Sequence, residues 1–164
     1  MSLSHQFFLL KVDDQAHWHK SWLKLFQSNQ GIKLHVDALR YIADTLQWIP
    51  TYNPSTKQAH QGLCWWGITW IQVDGAPVMA KTLGYWADLL SSEPAELELT
   101  GNYGYQVEND SNKDGFEVIA VNSGGYEKLI FNRDELVTNL RALSNYAKQV
   151  QEQGDKYYIL HLGI

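Results

Sequence analysis

A length of 164 residues fits one domain, and 45% hydrophobic with 19% charged residues are globular values that exclude a disordered chain. The net charge of −5 and a pI near 5.6 argue against direct nucleic-acid binding, which needs clustered Lys and Arg. A single cysteine, Cys64, excludes an internal disulfide framework and is compatible with a reducing, cytoplasmic setting.

The first apolar stretch, Phe7–Leu10, lacks a preceding basic region and a following small-residue cleavage site, so no signal peptide is expected. No apolar run approaches a membrane span. Gln6 to Val12 reads as a strand. Asp13 or Asp14 is placed to cap a helix to about Gln27, with Trp18, Trp22, Leu25 and Phe26 on one face. Asp37 to Trp48 repeats a helical pattern until Pro50, and residues 50–61 read as a surface loop. Leu63 to Val73 reads as a long strand. It carries Trp65 on one face and Cys64, Trp66 and Trp70 on the other, all apolar, as in a strand covered on both sides. If only one face is covered, Trp66 and Trp70 form a platform for a ligand or partner. Asp74-Gly75 signals a hairpin, with Pro77 to Lys81 returning antiparallel. Thr82 to Leu90 follows as a short helix with Trp86, Leu89 and Leu90 inward.

Four strands are expected next, as a meander over 96–100, 103–108, 116–121 and 126–131. Asn132, with Glu135 three residues on, caps a last helix. Leu136, Leu140, Leu143, Ala147 and Val150 recur along it at helical spacing, and Gly154 closes it before a final strand over 156–162. These elements predict a single α+β domain over 1–164. Its largely antiparallel sheet should have about six to eight strands, with three or four helices mainly on one face.

The charge is unevenly placed. Between Asp88 and Glu117 stand eight carboxylates against one cation, Lys113, a local net of −7, so the rest of the chain carries +2. Such a block points to a cationic target, either a basic protein or a metal ion. Asp110 to Gly115 matches the first half of a calcium loop, D-x-N-x-D-G. The match fails at its twelfth position, Val121, and Lys113 opposes cation capture, so a polar turn is the stronger reading and no metal is assigned. Glu96 and Glu98, two apart on a strand, lie about 6.6 Å apart along it. That is near the roughly 6.5–9.5 Å of inverting glycosidases. Alternation with Leu97 and Leu99 is also what a half-buried strand requires. His17 and His19 point apart on a helix and do not share a metal. Cys64, between Leu63 and Trp65, reads as core rather than nucleophile, and His161 as a hydrogen-bonded sheet residue. No P-loop, nucleophile elbow or H-E-x-x-H motif is present.

The function these features favour is an acidic protein-binding domain, of inhibitor or immunity type, that neutralises a basic toxin or enzyme. Its expected contact residues are Trp86, Asp88, Glu93, Glu96, Glu98, Tyr103, Tyr105, Glu108, Asp110 and Asp114. The carboxylates would steer a basic protein, and the aromatics would anchor it. No cofactor is implied. An enzyme acting on a small molecule or carbohydrate through Glu and His groups, and a non-catalytic assembly subunit, are the alternatives.

Overall fold

A computed structural model describes residues 3–12, 24–25, 27, 30–109 and 118–163, with backbone alone for 105–109 and 118–123. The helix expected from Asp13 falls almost wholly outside these residues, as do His17, His19 and the 110–115 loop. Within the described residues lie eight strands and four α-helices. They are β1 (Ser4–Lys11), β2 (Ile32–His35), α1 (Val36–Tyr41), α2 (Ala43–Leu46), β3 (Pro50–Asn53), β4 (Gln58–Gln61) and β5 (Ile68–Ile71). After these come α3 (Ala76–Ser91), β6 (Glu96–Asn109), β7 (Val118–Asn132), α4 (Arg133–Gln153) and β8 (Tyr157–Leu162). The α+β reading holds. A six-stranded sheet runs β2-β1-β8-β5-β3-β4, every pairing antiparallel, and β6 and β7 form a separate two-stranded sheet.

Alternation sorts the central strands onto two cores. Phe7, Ile71 and Ile159 face the helices, where they meet Met79, Leu83, Leu140 and Leu143. Phe8, Trp70, Tyr158, Leu160 and Leu162 face the other way and pack with the half-buried Leu25. The last helix forms as its sequence dictates. The Asn132 side chain accepts from the Glu135 N–H at 3.0 Å, and Leu136, Leu140, Leu143, Ala147 and Val150 are all buried. Gly154 ends the helix at φ 61°, in the left-handed region that favours glycine. α3 and α4 pack along one another, joined by Ser144 Oγ donating to the Ala80 carbonyl at 2.8 Å.

The structure corrects six local readings. The Asp37–Trp48 helix is two short ones, α1 and α2, broken at Ile42 (φ −104°, ψ 11°); the His35 side chain caps the first by accepting from the Asp37 N–H. The 50–61 loop is the β3–β4 hairpin. Asn53 Oδ1 accepts from the Ser55 and Thr56 N–H groups and Lys57 takes φ 56°, and together these build its turn. The long 63–73 strand shrinks to Ile68–Ile71. Gly62 (φ 74°) turns the chain, and the Cys64 N–H closes on Thr69 Oγ1 at 2.8 Å, so residues 63–67 fold back instead of extending.

Cys64 is therefore half-buried in a loop, and the neighbouring indoles part company: Trp70 is buried whereas Trp66 is 76% exposed. Asp74-Gly75 makes no hairpin. It leads into α3, where Pro77 occupies the first turn, a position at which its missing N–H costs nothing. The helix thus starts at Ala76, absorbs the supposed Pro77–Lys81 strand, and turns Leu89 outward, although Leu90 is buried as expected. Finally, the four-strand meander is a single long hairpin whose register shifts between Thr100 and Tyr103, between Gly104 and Gln106, and between Glu108 and Asn109.

Candidate functional site

The amino-terminal turn of α3 fixes its stripe: Ala76, Met79, Ala80, Leu83, Ala87 and Leu90 go to the core. The helix has more apolar residues than that stripe can use. Val78, Tyr85, Trp86 and Leu89 fall on a second face. There they line a groove lobe of about 400 Å³ with Thr45 and Trp48. Trp48, Tyr85 and Leu89 are 65%, 69% and 58% exposed. Large side chains at such exposure, grouped in one groove, are what a docking surface requires.

Trp86 is the fixed element. Its indole N–H donates to Thr45 Oγ1 at 2.9 Å, Thr45 Oγ1 donates to the Ile42 carbonyl at 2.8 Å, and Tyr41 meets the ring edge-on at 5.8 Å. Trp86 and Leu89 also line a second lobe, of about 450 Å³, whose opposite wall is Glu93, Pro94 and Glu96 to Leu99. Glu96 and Glu98 are exposed, and Leu97 between them is buried, as the alternation of Glu and Leu predicts. The two lobes therefore make one surface, aromatic at one end and acidic at the other.

The base of this acidic wall is held by Arg133. Its backbone N–H donates to the Ala95 carbonyl at 2.9 Å, and its guanidinium Nη1 donates to the Glu93 carbonyl at 2.6 Å. Arg133→Ala should cost about 1 kcal/mol in urea unfolding and speed amide exchange from Glu93 to Leu97. If both stay at wild-type values, the backbone bond alone sets this loop.

The expected contact residues divide. Trp86, Glu93, Glu96 and Glu98 converge on the groove. Asp88 turns toward α4 and pairs with Arg141 at 3.4 Å. Tyr103 lies farther along the hairpin against Tyr126, ring centroids 5.0 Å apart. The side chains of Tyr105 and Glu108, and all of Asp110 and Asp114, lie outside the described residues. Glu98 is bonded to Lys128 at 2.8 Å; with both partners exposed, the pair is worth little. Tyr41, Trp48, Tyr85 and Leu89 were missed. The apolar surplus on α3, visible once the helix is begun at Ala76, marks Tyr85 and Leu89; Tyr41 and Trp48 come from the α1–α2 segment, where no local pattern marks them.

A second constellation is buried. His5 Nδ1 and His161 Nε2 lie 2.8 Å apart on neighbouring strands, with Trp65 edge-on to His5 at 5.1 Å and Phe7 at 4.8 Å from His161. One ring donates its N–H to the other. That leaves His5 Nε2 and His161 Nδ1 without hydrogen-bond partners among the described residues. Burial, reinforced by the positive charge of Arg40, lowers His5 to about 4. Burial, then His5 itself, holds His161 well below the usual imidazole range. Both are thus neutral core residues, which places His161 in the sheet as expected and gives it an imidazole for a partner. Among the described residues no three His, Cys, Asp or Glu side chains gather as a metal site, and no helix is long and apolar enough to cross a membrane.

Comparison of the chain with protein-family models, with curated proteins and with solved structures returned no match.

Proposed function

We propose that the protein is a binding domain that docks a basic partner protein on the α3–β6 groove, in the manner of an inhibitor or immunity protein that neutralises a cationic toxin or enzyme. The observation that carries the proposal is the junction, at Trp86 and Leu89, of an exposed aromatic lobe with a wall of three carboxylates, Glu93, Glu96 and Glu98. Aromatic anchors beside an acidic wall divide the work of binding. Trp48 and Tyr85 offer large apolar area for desolvation, and the carboxylates accelerate encounter with Arg and Lys on the partner.

Affinity capture at low salt from the source organism supplies the partner for kinetics. The Glu96→Lys/Glu98→Lys variant should associate more slowly, on the order of tenfold at low salt, with the difference shrinking as salt rises. Trp48→Ala should instead raise the dissociation rate. An association rate that ignores both charge reversal and salt would refute steering by this surface.

A further inference from the structure

The carboxylate wall is also a strand edge. Among the described residues β6 pairs only with β7, which leaves its other side an open row of backbone groups. The ladder fixes which groups these are. The Ala95 carbonyl accepts from the Arg133 N–H, and the register then pairs Leu97 with Phe131 and Leu99 with Leu129. In an antiparallel ladder, alternate residues turn their N–H and C=O toward the partner strand. Ala95, Leu97 and Leu99 therefore bond to β7, and Glu96 and Glu98 turn theirs away from it, along the edge that bounds the groove. No hydrogen bond to those outward groups of Glu96 and Glu98 occurs among the described residues.

We propose that this edge takes a strand from the partner: a basic, extended segment adds to β6 by main-chain hydrogen bonds. The inference rests on the basic-partner reading above and specifies its mode. Strand addition draws affinity from the backbone and specificity from alternate side chains. Here alternate positions present two different surfaces. Arg or Lys on one face of the incoming strand lies beside Glu96 and Glu98. Apolar side chains on its other face rest beside Leu97 and Leu99, against Tyr41, Trp86 and Leu89 across the groove. A second copy of this chain is a poor occupant, because pairing β6 with itself sets Glu96 and Glu98 against like charges. The same carboxylates thus discourage self-association at the edge and favour a cationic strand.

The test uses a synthetic peptide of alternating Lys-Val-Arg-Val repeats, titrated into the isotopically labelled protein at low salt and followed by backbone amide shifts and hydrogen exchange. The Glu96 and Glu98 amides should become protected, while those of Leu97 and Leu99, already bonded to β7, should change little. Glu98→Pro and Glu98→Gln lose the same carboxylate, but only the first loses the outward N–H. Proline is tolerated at an edge position whose N–H points out, so both variants should fold. Glu98→Pro should bind the peptide at least about fivefold more weakly than Glu98→Gln. Perturbation of Trp48 and Tyr85 with no protection at Glu96 and Glu98 would overturn strand addition while leaving the groove as a basic-partner site. No perturbation of either set up to millimolar peptide would overturn both.

Discussion

Acidification from pH 7 to pH 4 should remove about 3 kcal/mol of folding stability through His5, with His161 acting in the same direction. In the unfolded chain both imidazoles take up protons as pH falls through the ordinary value of 6.5. In the folded chain His5 stays neutral until about 4, and His161 is held low as well. Between these limits the unfolded state binds more protons, so stability rises with pH and is lost as pH falls. Each proton taken up contributes a slope of about 1.4 kcal/mol per pH unit. The full contribution is present above pH 6.5.

The cause is geometric: two fully buried rings already sharing a hydrogen bond lie beside Trp65 and Phe7, and among the described residues no carboxylate bonds to either. Urea unfolding at several pH values checks this result. A His5→Asn/His161→Asn variant should be less stable at pH 7, yet lose most of the slope between pH 6.5 and pH 4.5. An unchanged slope in that variant would show that other groups set the acid sensitivity.

Gly75→Val should cost at least about 3 kcal/mol, for a reason unrelated to backbone freedom. Gly75 has φ −87°, a value open to any residue. What it lacks is space. A Cβ there would sit 2.0 Å from the Pro50 carbonyl oxygen and 3.1 Å from Ile71 Cγ2, so β3 and the entry to α3 would have to separate. The same substitution at Gly125, where a Cβ meets nothing within 4 Å, is the control and should stay within about 0.5 kcal/mol. Comparable melting temperatures for the two variants would refute the steric account.

Gly75 also shows what a local sequence pattern does not carry. Asp-Gly is a hairpin signal because type I′ turns need positive φ, but this glycine is required by a tertiary neighbour, Pro50, that no local pattern reveals. Misplacing the start of α3 then misassigned its faces. A helix begun at Thr82 puts Leu89 with Leu90 in the core, whereas the stripe that starts at Ala76 leaves Leu89 and Tyr85 on the second face. The opposite held for α4, where the Asn132 cap, the buried stripe and Gly154 are all local and mutually consistent, so the helix was legible in full. The alternation of Glu96 to Leu99 was equally legible. That Glu96 and Glu98 lie across a groove from Trp86 was not, because the contact joins two elements through a loop held by Arg133. The His5–His161 pair spans 156 positions and left no trace in either local window.

The place of β8 bears on how the chain is made. Residues 157–162 lie between β1 and β5, at the middle of the six-stranded sheet. Until the ribosome has released that segment, β1 with β2 and β5 with β3 and β4 are two unconnected fragments. Each exposes the edge that β8 will occupy, and Phe7, Phe8 and Trp70 lack the strand they pack against. While the roughly 85 residues between β5 and β8 are being made, the two half-sheets stay open. β8 then closes them in one long-range step, of the kind that slows folding and exposes a nascent protein to aggregation or chaperones.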